Sequence, residues 1–532
     1  MKIKTTLLTL LTIACPFSTY AEQKPKPLKV FVFAGQSNMT GMARTRTLEH
    51  IKMSPDSAKS YADVFDKDGK PTTLEAVYVT QWKDKEGGRL EPKFGGTVKG
   101  QTSFGPEYGC GIYLHKELNE PFLIIKTSQG GKSLNYHFRS PSSDKWTPPP
   151  GHPDLIKPET EEKKAPAKAV PTKLEIANDW APEKAHSLRR RHLGFDGFKG
   201  AEVGKVGDVY PIYILSATLG KIKGDPFQQG DLILAVDGAG LGENPVDQWR
   251  DAFHSSKTLD GDWMINITRW RAGKIETFDF DICDTLAGGR ASLPEELEKM
   301  KQTAIEYDKQ QGGFYNDMIT HVRSVLSDVK KHHPAYDPAA GYELAGFVWF
   351  QGWNDMIDSG TYPNRDKPGG YDQHTWLLEN LIRDVRKDLN APHMPAVIGV
   401  MGIGGVNAEG NIGNFQKAQM AVAKKPEFKG NVIAVETGKY WDHKLSALAT
   451  KSNEVNQHMN VFRYDQGLEG EALKKACADY RAKNITPEEE LILKTGVSDG
   501  DFHYLGSGKI MVGIGRGFAE AISELKVKEQ KK

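Results

Sequence analysis

Cysteine is scarce in this chain: four occur in 532 residues, at positions 15, 110, 283 and 477. That scarcity excludes a scaffold stapled by disulfides, and with no pair at ligand spacing it also excludes a cysteine-based zinc site. Long apolar runs are missing as well. Beyond the N-terminus no stretch approaches the ~18 consecutive apolar residues that a membrane-spanning helix requires. Charge of one sign is lacking too, since 70 Lys and Arg face 69 Asp and Glu. A near-neutral balance argues against a general polyanion-binding surface of the kind that holds nucleic acid, so affinity must come from local sites.

What is present begins with an export signal. Lys2 and Lys4 precede an apolar stretch from Leu7 to Ile13, and Thr19-Tyr20-Ala21 offers a small-x-small cleavage site, so residues 1–21 read as a signal peptide. The mature chain is then expected to start near Glu22 and to be periplasmic or extracellular. Thr12-Ile13-Ala14-Cys15 is a poorer, lipoprotein-like alternative that would anchor the chain. Cleavage removes Cys15 and leaves three cysteines that read as buried thiols, with a disulfide between two of them left open.

Five short apolar runs stand out: Val30 to Ala34, Phe122 to Ile125, Gly346 to Phe350, Ala396 to Met401 and Val432 to Val435. They are continuous rather than alternating in polarity, as parallel strands covered on both faces should be. Helical patterns fall between them, at Gly312 to Val329, Tyr371 to Leu389 and Gly508 to Leu525. The reading is an α/β fold with a doubly wound, five-stranded parallel sheet, whose ligand sites lie beyond the carboxyl ends of the strands.

About 220 residues separate Ile125 from Gly346, far more than the ~10 to 30 of an ordinary crossover. Something is inserted there. Residues 140–189 are rich in Pro, Lys and Glu and read as an extended linker. Residues 190–284 turn to β-formers and Gly turns, as in Ile212-Tyr213-Ile214-Leu215, Asp231 to Gly238 and Met264 to Arg269. The run Pro226-Phe227-Gln228-Gln229-Gly230-Asp231 into Leu232 to Gly238, with Arg269 to Lys274 after it, resembles a PDZ domain. That resemblance implies a strand-adding peptide partner, with Leu193-Gly194-Phe195-Asp196-Gly197 as the candidate carboxylate-binding loop. A β-module serving only as a spacer or clamp is the plainer alternative. The flanking segments, 22–139 and 285–532, would form one interrupted domain.

The chemistry sits at strand ends. Val30 to Ala34 runs straight into Gly35-Gln36-Ser37-Asn38-Met39, which places a serine where open α/β sheets put their sites. A helix N-cap is the ordinary role of such a serine. After the second run comes Thr127-Ser128-Gln129-Gly130-Gly131, whose glycines allow a backbone N–H to approach a bound oxygen. After the third comes Gln351-Gly352-Trp353-Asn354-Asp355, with amides able to donate to an oxyanion. Near the C-terminus, Asp499-Gly500-Asp501-Phe502-His503 supplies an imidazole and carboxylates to orient it.

In this order the blocks resemble those of the SGNH hydrolases, and most of all their sialate O-acetylesterase and acetylxylan-esterase-like branch. Phe104-Gly105-Pro106-Glu107 matches a recurrent element of that branch. The resemblance implies a flavodoxin-like sheet and a serine carbohydrate O-acetylesterase with no cofactor and no metal. It implies Ser37 as nucleophile and His503 as base, with Asp501 or Asp499 as the orienting acid. The family places that acid three residues before the histidine, where this chain has Gly500. The oxyanion would be held by the N–H of Ser37, by Gly130 or Gly131, and by Gln351 or Asn354. Gln36, Asn38, Trp353 and Glu107 are the expected substrate contacts.

A non-catalytic carbohydrate- or peptide-binding protein retaining the fold is the alternative. A PDZ-bearing protease is disfavoured, since the chain has no Gly-x-Ser-Gly-Gly block. Trp349 and Trp376 read as core, and His332-His333 lacks companion metal ligands.

Overall fold

The computed structural model describes residues 26–82, 87–96, 102–143, 191–193, 198–217, 226–257, 262–286, 288–464 and 466–530. The expected export signal at 1–21 and nearly all of the segment read as a linker therefore lie outside the described residues, as do positions 194–197 of the glycine-rich stretch.

The apolar runs build one sheet. Its strands are β1 (Leu28–Gly35), β2 (Leu74–Gln81), β3 (Gly88–Leu90), β4 (Phe122–Ser128), β5 (Tyr342–Phe350), β6 (Ala396–Val400) and β7 (Val432–Glu436), in the order β7-β6-β5-β1-β4-β2-β3. The five runs singled out in the sequence are β1, β4, β5, β6 and β7, each parallel to its neighbours. The fold is α/β, but the sheet is a mixed one of seven strands rather than a parallel one of five. β2 adds in parallel to β4, and β3 closes that edge antiparallel to β2. β2 lacks a continuous apolar run: Val77 and Val79 are buried while Glu75 is exposed, so its burial alternates instead of covering both faces.

Side-chain alternation divides the sheet between two cores. Phe31, Phe33, Phe122, Ile124 and Val348 face one layer, covered by α2 (Pro106–Leu118) and the C-terminal helix Gly508–Gln530. Val30, Val32, Leu123, Ile125 and Trp349 face the other, covered by α3 (Gly313–Ser327) and α4 (Asp372–Asp388). Next come α5 (Gly410–Ala423), α6 (His443–Tyr464), α7 (Gly470–Asn484) and α8 (Pro487–Gly496), and the C-terminal helix is α9. The hairpin α6 to α8 was not foreseen. Only four residues of α6 are buried, among them Ala449 and Ser452, so its apolar stripe is thin. A capping box opens α8: Thr486 Oγ1 accepts from the Glu489 N–H at 3.2 Å, and Glu489 Oε2 accepts from the Thr486 N–H at 2.9 Å.

Strand order reverses around β1, with β4 and β2 to one side and β5, β6 and β7 to the other, and register levels the ends at that switch point. Gly35 pairs with Ser128 of β4 and with Phe350 of β5. The three segments that leave these strands therefore start from one line.

Residues 191–282 hold a separate antiparallel sheet, with a helix at Pro245–Ser255. Its core includes Phe198, Phe227, Trp249, Phe253 and Phe280. Asp231, 1 % exposed, accepts from Arg271 Nε and Nη2 at 2.6 Å each and from the Gln228 N–H at 2.8 Å, pinning the turn before strand Leu232–Val236.

Cys110 and Cys283 are buried free thiols; Cys477, expected buried, is partly exposed on α7 and also free. Trp349 is fully buried, whereas Trp376, expected in the core, is only partly buried against it. His333 is packed rather than open, its Nε2 3.3 Å from the Ala76 carbonyl oxygen. No described helix is long and apolar enough to cross a membrane.

Candidate active site

β1 reaches the rim at Gly35, where a Cβ would overlap the Phe350 carbonyl oxygen of β5; only glycine fits. The chain then turns into the short helix α1 (Ser37–Thr40). Ser37 is its first residue and not its cap: Gln36 holds the cap position, and its side chain makes no capping bond. The ordinary reading of a post-strand serine thus does not apply.

The Gln36 side chain is the hub of the rim. Its Oε1 accepts from the Gly352 N–H (3.1 Å), the Asn354 N–H (3.3 Å) and Gln351 Nε2 (3.1 Å). Its Nε2 donates to Asn354 Oδ1 at 2.9 Å. These bonds lock the turn after β1 to the turn after β5. They also set the two amides apart. Gln351 is buried, and its Nε2 is committed to Gln36, to the Lys132 carbonyl oxygen and to Asp355. Asn354 has its oxygen tied to Gln36, which turns its Nδ2 the other way, and the residue lines a cavity of about 420 Å³.

Ser37, Gly130, Gly131, Trp353, Asn354, Phe502 and His503 all line that cavity. Gly131 takes φ +72°, a left-handed turn that glycine adopts without strain, and at Gly130 an added Cβ would lie 3.7 Å from the Ser37 Cβ. Sequence residues more than 460 positions apart thus meet at one rim. No hydrogen bond joins Ser37 Oγ to the imidazole; such bonds often tighten only when substrate binds.

His503 follows a tight loop in which the His503 N–H donates to the Gly500 carbonyl oxygen at 3.1 Å. Nδ1 of His503 stands 3.2 Å from Asp499 Oδ2, at ion-pair distance though off the hydrogen-bond axis. Asp499 Oδ1 accepts from the Gly500 N–H at 2.7 Å. Burial would raise the Asp499 carboxyl, but His503 and the Gly500 N–H outweigh it and hold it below its ordinary value. Asp501 is exposed, and its carboxylate accepts from the Phe502 N–H at 2.8 Å. Of the two candidate acids, Asp499 is the one beside the ring.

Two expected substrate contacts are placed elsewhere. Glu107 is fully buried beneath the site, 2.7 Å from Lys126 Nζ, and its other oxygen accepts from the Gly105 N–H at 3.0 Å; no surface remains for a ligand. Asn38 is a tether: its Nδ2 donates to the Phe502 carbonyl oxygen at 3.1 Å and ties α1 to the histidine loop. Gln36 lines the cavity, but its side chain is fully engaged. Trp353 does reach the cavity, its ring 5.8 Å from that of Phe502.

Three supporting groups had no role assigned to them from the sequence. Asp355 is buried, accepts from the Leu134 and Asn135 N–H groups at 2.8 Å each, and so fixes the loop after β4 to the block after β5. Burial outweighs those bonds and pushes its carboxyl up to about 6. Lys126 also donates to the Thr40 carbonyl oxygen at 2.8 Å, supporting α1 from below. Tyr504 and Leu505 both hold left-handed backbone, at φ 53° and 61°, right after the histidine. The buried Tyr504 hydroxyl steadies them, accepting from the Gly402 N–H at 2.7 Å and sharing a 2.8 Å bond with Thr437.

A serine, an imidazole and converging donors on the carboxyl rim of an α/β sheet are compatible with an α/β hydrolase in outline. The family comparison is more particular: residues 300–459 match the model described as carbohydrate esterase, sialic acid-specific acetylesterase. The chain is similar to carbohydrate esterases over that stretch, which holds β5 to β7 and the Gln351–Asp355 block but neither Ser37 nor His503. No curated protein matches the chain. Among solved structures, a protein from Arabidopsis thaliana aligns at 11% identity over 77% of this chain and 86% of that one, with a TM-score of 0.31, a likeness too slight to carry weight.

Proposed function

We propose that the protein is an exported serine esterase that removes acyl groups, acetyl foremost, from a carbohydrate. Ser37 Oγ adds to the ester carbonyl carbon while His503 Nε2 takes its proton. The oxyanion is held by the Ser37 N–H, by an N–H of Gly130 or Gly131 and by Asn354 Nδ2. Collapse breaks the acyl C–O bond, and His503 returns the proton to the departing sugar hydroxyl. Water then attacks the acyl-enzyme with His503 again as base, releasing the carboxylic acid and restoring Ser37. Asp499 orients the ring and steadies the imidazolium.

The observation that carries this reading is the common cavity: Ser37, Gly130, Gly131, Asn354 and His503 line it together, with Asp499 behind the imidazole. The esterase-family match over residues 300–459 supports the reaction class. In this proposal residues 22–139 and 285–532 form one flavodoxin-like SGNH domain, joined by the 140–189 linker to a PDZ-like module at 190–284 that recruits a peptide or protein C-terminus. Residues 1–21 serve as the export signal.

Purified protein should hydrolyse a chromogenic acetyl ester and be labelled by a fluorophosphonate, and Ser37→Ala should abolish both with an unchanged circular dichroism spectrum. Turnover surviving in that variant refutes the mechanism.

A further inference from the structure

A second cavity of about 780 Å³ opens beside the first, between α6 and the Asp499–Phe502 loop. Phe502, 37 % exposed, lines both, so the two cavities adjoin across one aromatic side chain. The far wall is one face of α6. Asn453, Asn456, Gln457 and Asn460 recur there at helical spacing, so four amides stand in a row along the groove. Two of them are engaged by protein: Asn456 Oδ1 accepts from Arg481 at 2.9 Å, and Asn460 Nδ2 donates to the Gln457 carbonyl oxygen at 2.9 Å. Asn453 and Gln457 keep both ends of their amides for something else.

We infer that this groove is a subsite for a neutral glycan chain whose acylated sugar occupies the catalytic cavity. The inference rests on the esterase reading and extends it to a polymeric substrate. A row of amides offers paired donors and acceptors without charge, the complement of successive sugar hydroxyls. The Phe502 and Trp353 rings, 5.8 Å apart at the junction, offer apolar faces for the flat side of a pyranose. Charge narrows the ligand further. The described residues lining the two cavities include Glu454, Asp499 and Asp501 but no lysine or arginine, and Arg481, which stands behind Asn456, is paired with Glu490, so an anionic sugar would meet like charge.

The test uses the full chain and the Asn453→Ala/Gln457→Ala double variant. Calorimetry on a Ser37→Ala background measures binding of neutral hexasaccharides derived from xylan, mannan and cellulose. Kinetics on the active protein compare 4-nitrophenyl acetate with O-acetylated oligosaccharides of two to six sugars from the chain that binds. At least one hexasaccharide should bind, and the double variant should weaken it about tenfold, the loss of two modest hydrogen-bonded contacts. The same variant should lower kcat/KM on the longest substrate about tenfold and leave 4-nitrophenyl acetate unchanged. Binding of none of the three, or binding untouched by the double variant, overturns the subsite even if the small ester is hydrolysed. Binding that the variant weakens, in a protein that hydrolyses no ester, keeps the subsite and refutes the esterase reading alone. Tighter binding of O-acetylated sialic acid than of any neutral chain overturns the charge argument.

Discussion

Asp499→Asn isolates the contribution of the carboxylate beside the imidazole. Its Oδ2 stands 3.2 Å from Nδ1 of His503, with side-chain exposures of 25% and 14%. At that separation an effective dielectric of ~20 gives about 5 kcal/mol between carboxylate and imidazolium. Partial exposure screens this to roughly 2–4 kcal/mol, or about 30- to 10³-fold in kcat. Stopped assays on a chromogenic acetyl ester between pH 5 and 9 should show a loss of that size in kcat with KM little changed, because the charge matters only once the ring is protonated in the transition state. The pH profile adds a second check. The Asp499 carboxyl is held below its ordinary value, so it stays ionised throughout that range; losing it also withdraws support from the imidazolium of the resting enzyme, so the acid limb of the variant's profile should lie at lower pH and the full defect should be read on the alkaline plateau. Asp501→Asn, which removes an exposed charge and keeps an oxygen to accept from the Phe502 N–H, should stay within about twofold of the parent. A kcat for Asp499→Asn above half that of the parent, or an equal fall in Asp501→Asn, refutes the assignment.

The two amides after β5 should separate by readout. Asn354→Ala should cost about 10²- to 10³-fold in kcat as an oxyanion donor. Gln351→Ala should instead lower stability by about 1–3 kcal/mol in urea denaturation, since it strips partners from Gln36 and Asp355. Asp355 gives a pH signature. Its carboxyl titrates near 6 in the folded protein and near 4 when unfolded, so its protonated form favours the fold at acid pH. That stabilisation, up to about 3 kcal/mol, is lost as pH rises from about 4 through 6, and the difference in denaturation midpoint between the parent and Asp355→Asn should change over that window. A flat difference refutes the shift.

Much of the scaffold was legible because it rests on local pattern. The runs that became β1, β4, β5, β6 and β7 are continuous because each strand is covered on both faces. α4 was legible because its stripe from Leu377 to Val385 is strongly one-sided. β2 and β3 were not: buried and more exposed residues mix along Leu74–Gln81, and Gly88–Leu90 is only three residues long, too short to carry a pattern. α6 was not, since its outer face is a row of amides and its inner face holds few large side chains.

By itself the sequence determined the order of the strands along the chain and the short motifs that follow β1, β4 and β5, for a run of buried residues and a glycine turn are local facts of backbone sterics and polarity. Tertiary structure alone decided which groups face the cavity. Parallel register aligned Gly35 with Ser128 and Phe350, and the loop geometry at Gly500 set Asp499 rather than Asp501 beside His503. Burial drew Glu107 beneath the floor to Lys126. Residues adjacent in sequence can differ wholly in direction, because a side chain's partner is chosen by the backbone dihedrals and by the neighbours that folding brings from hundreds of positions away.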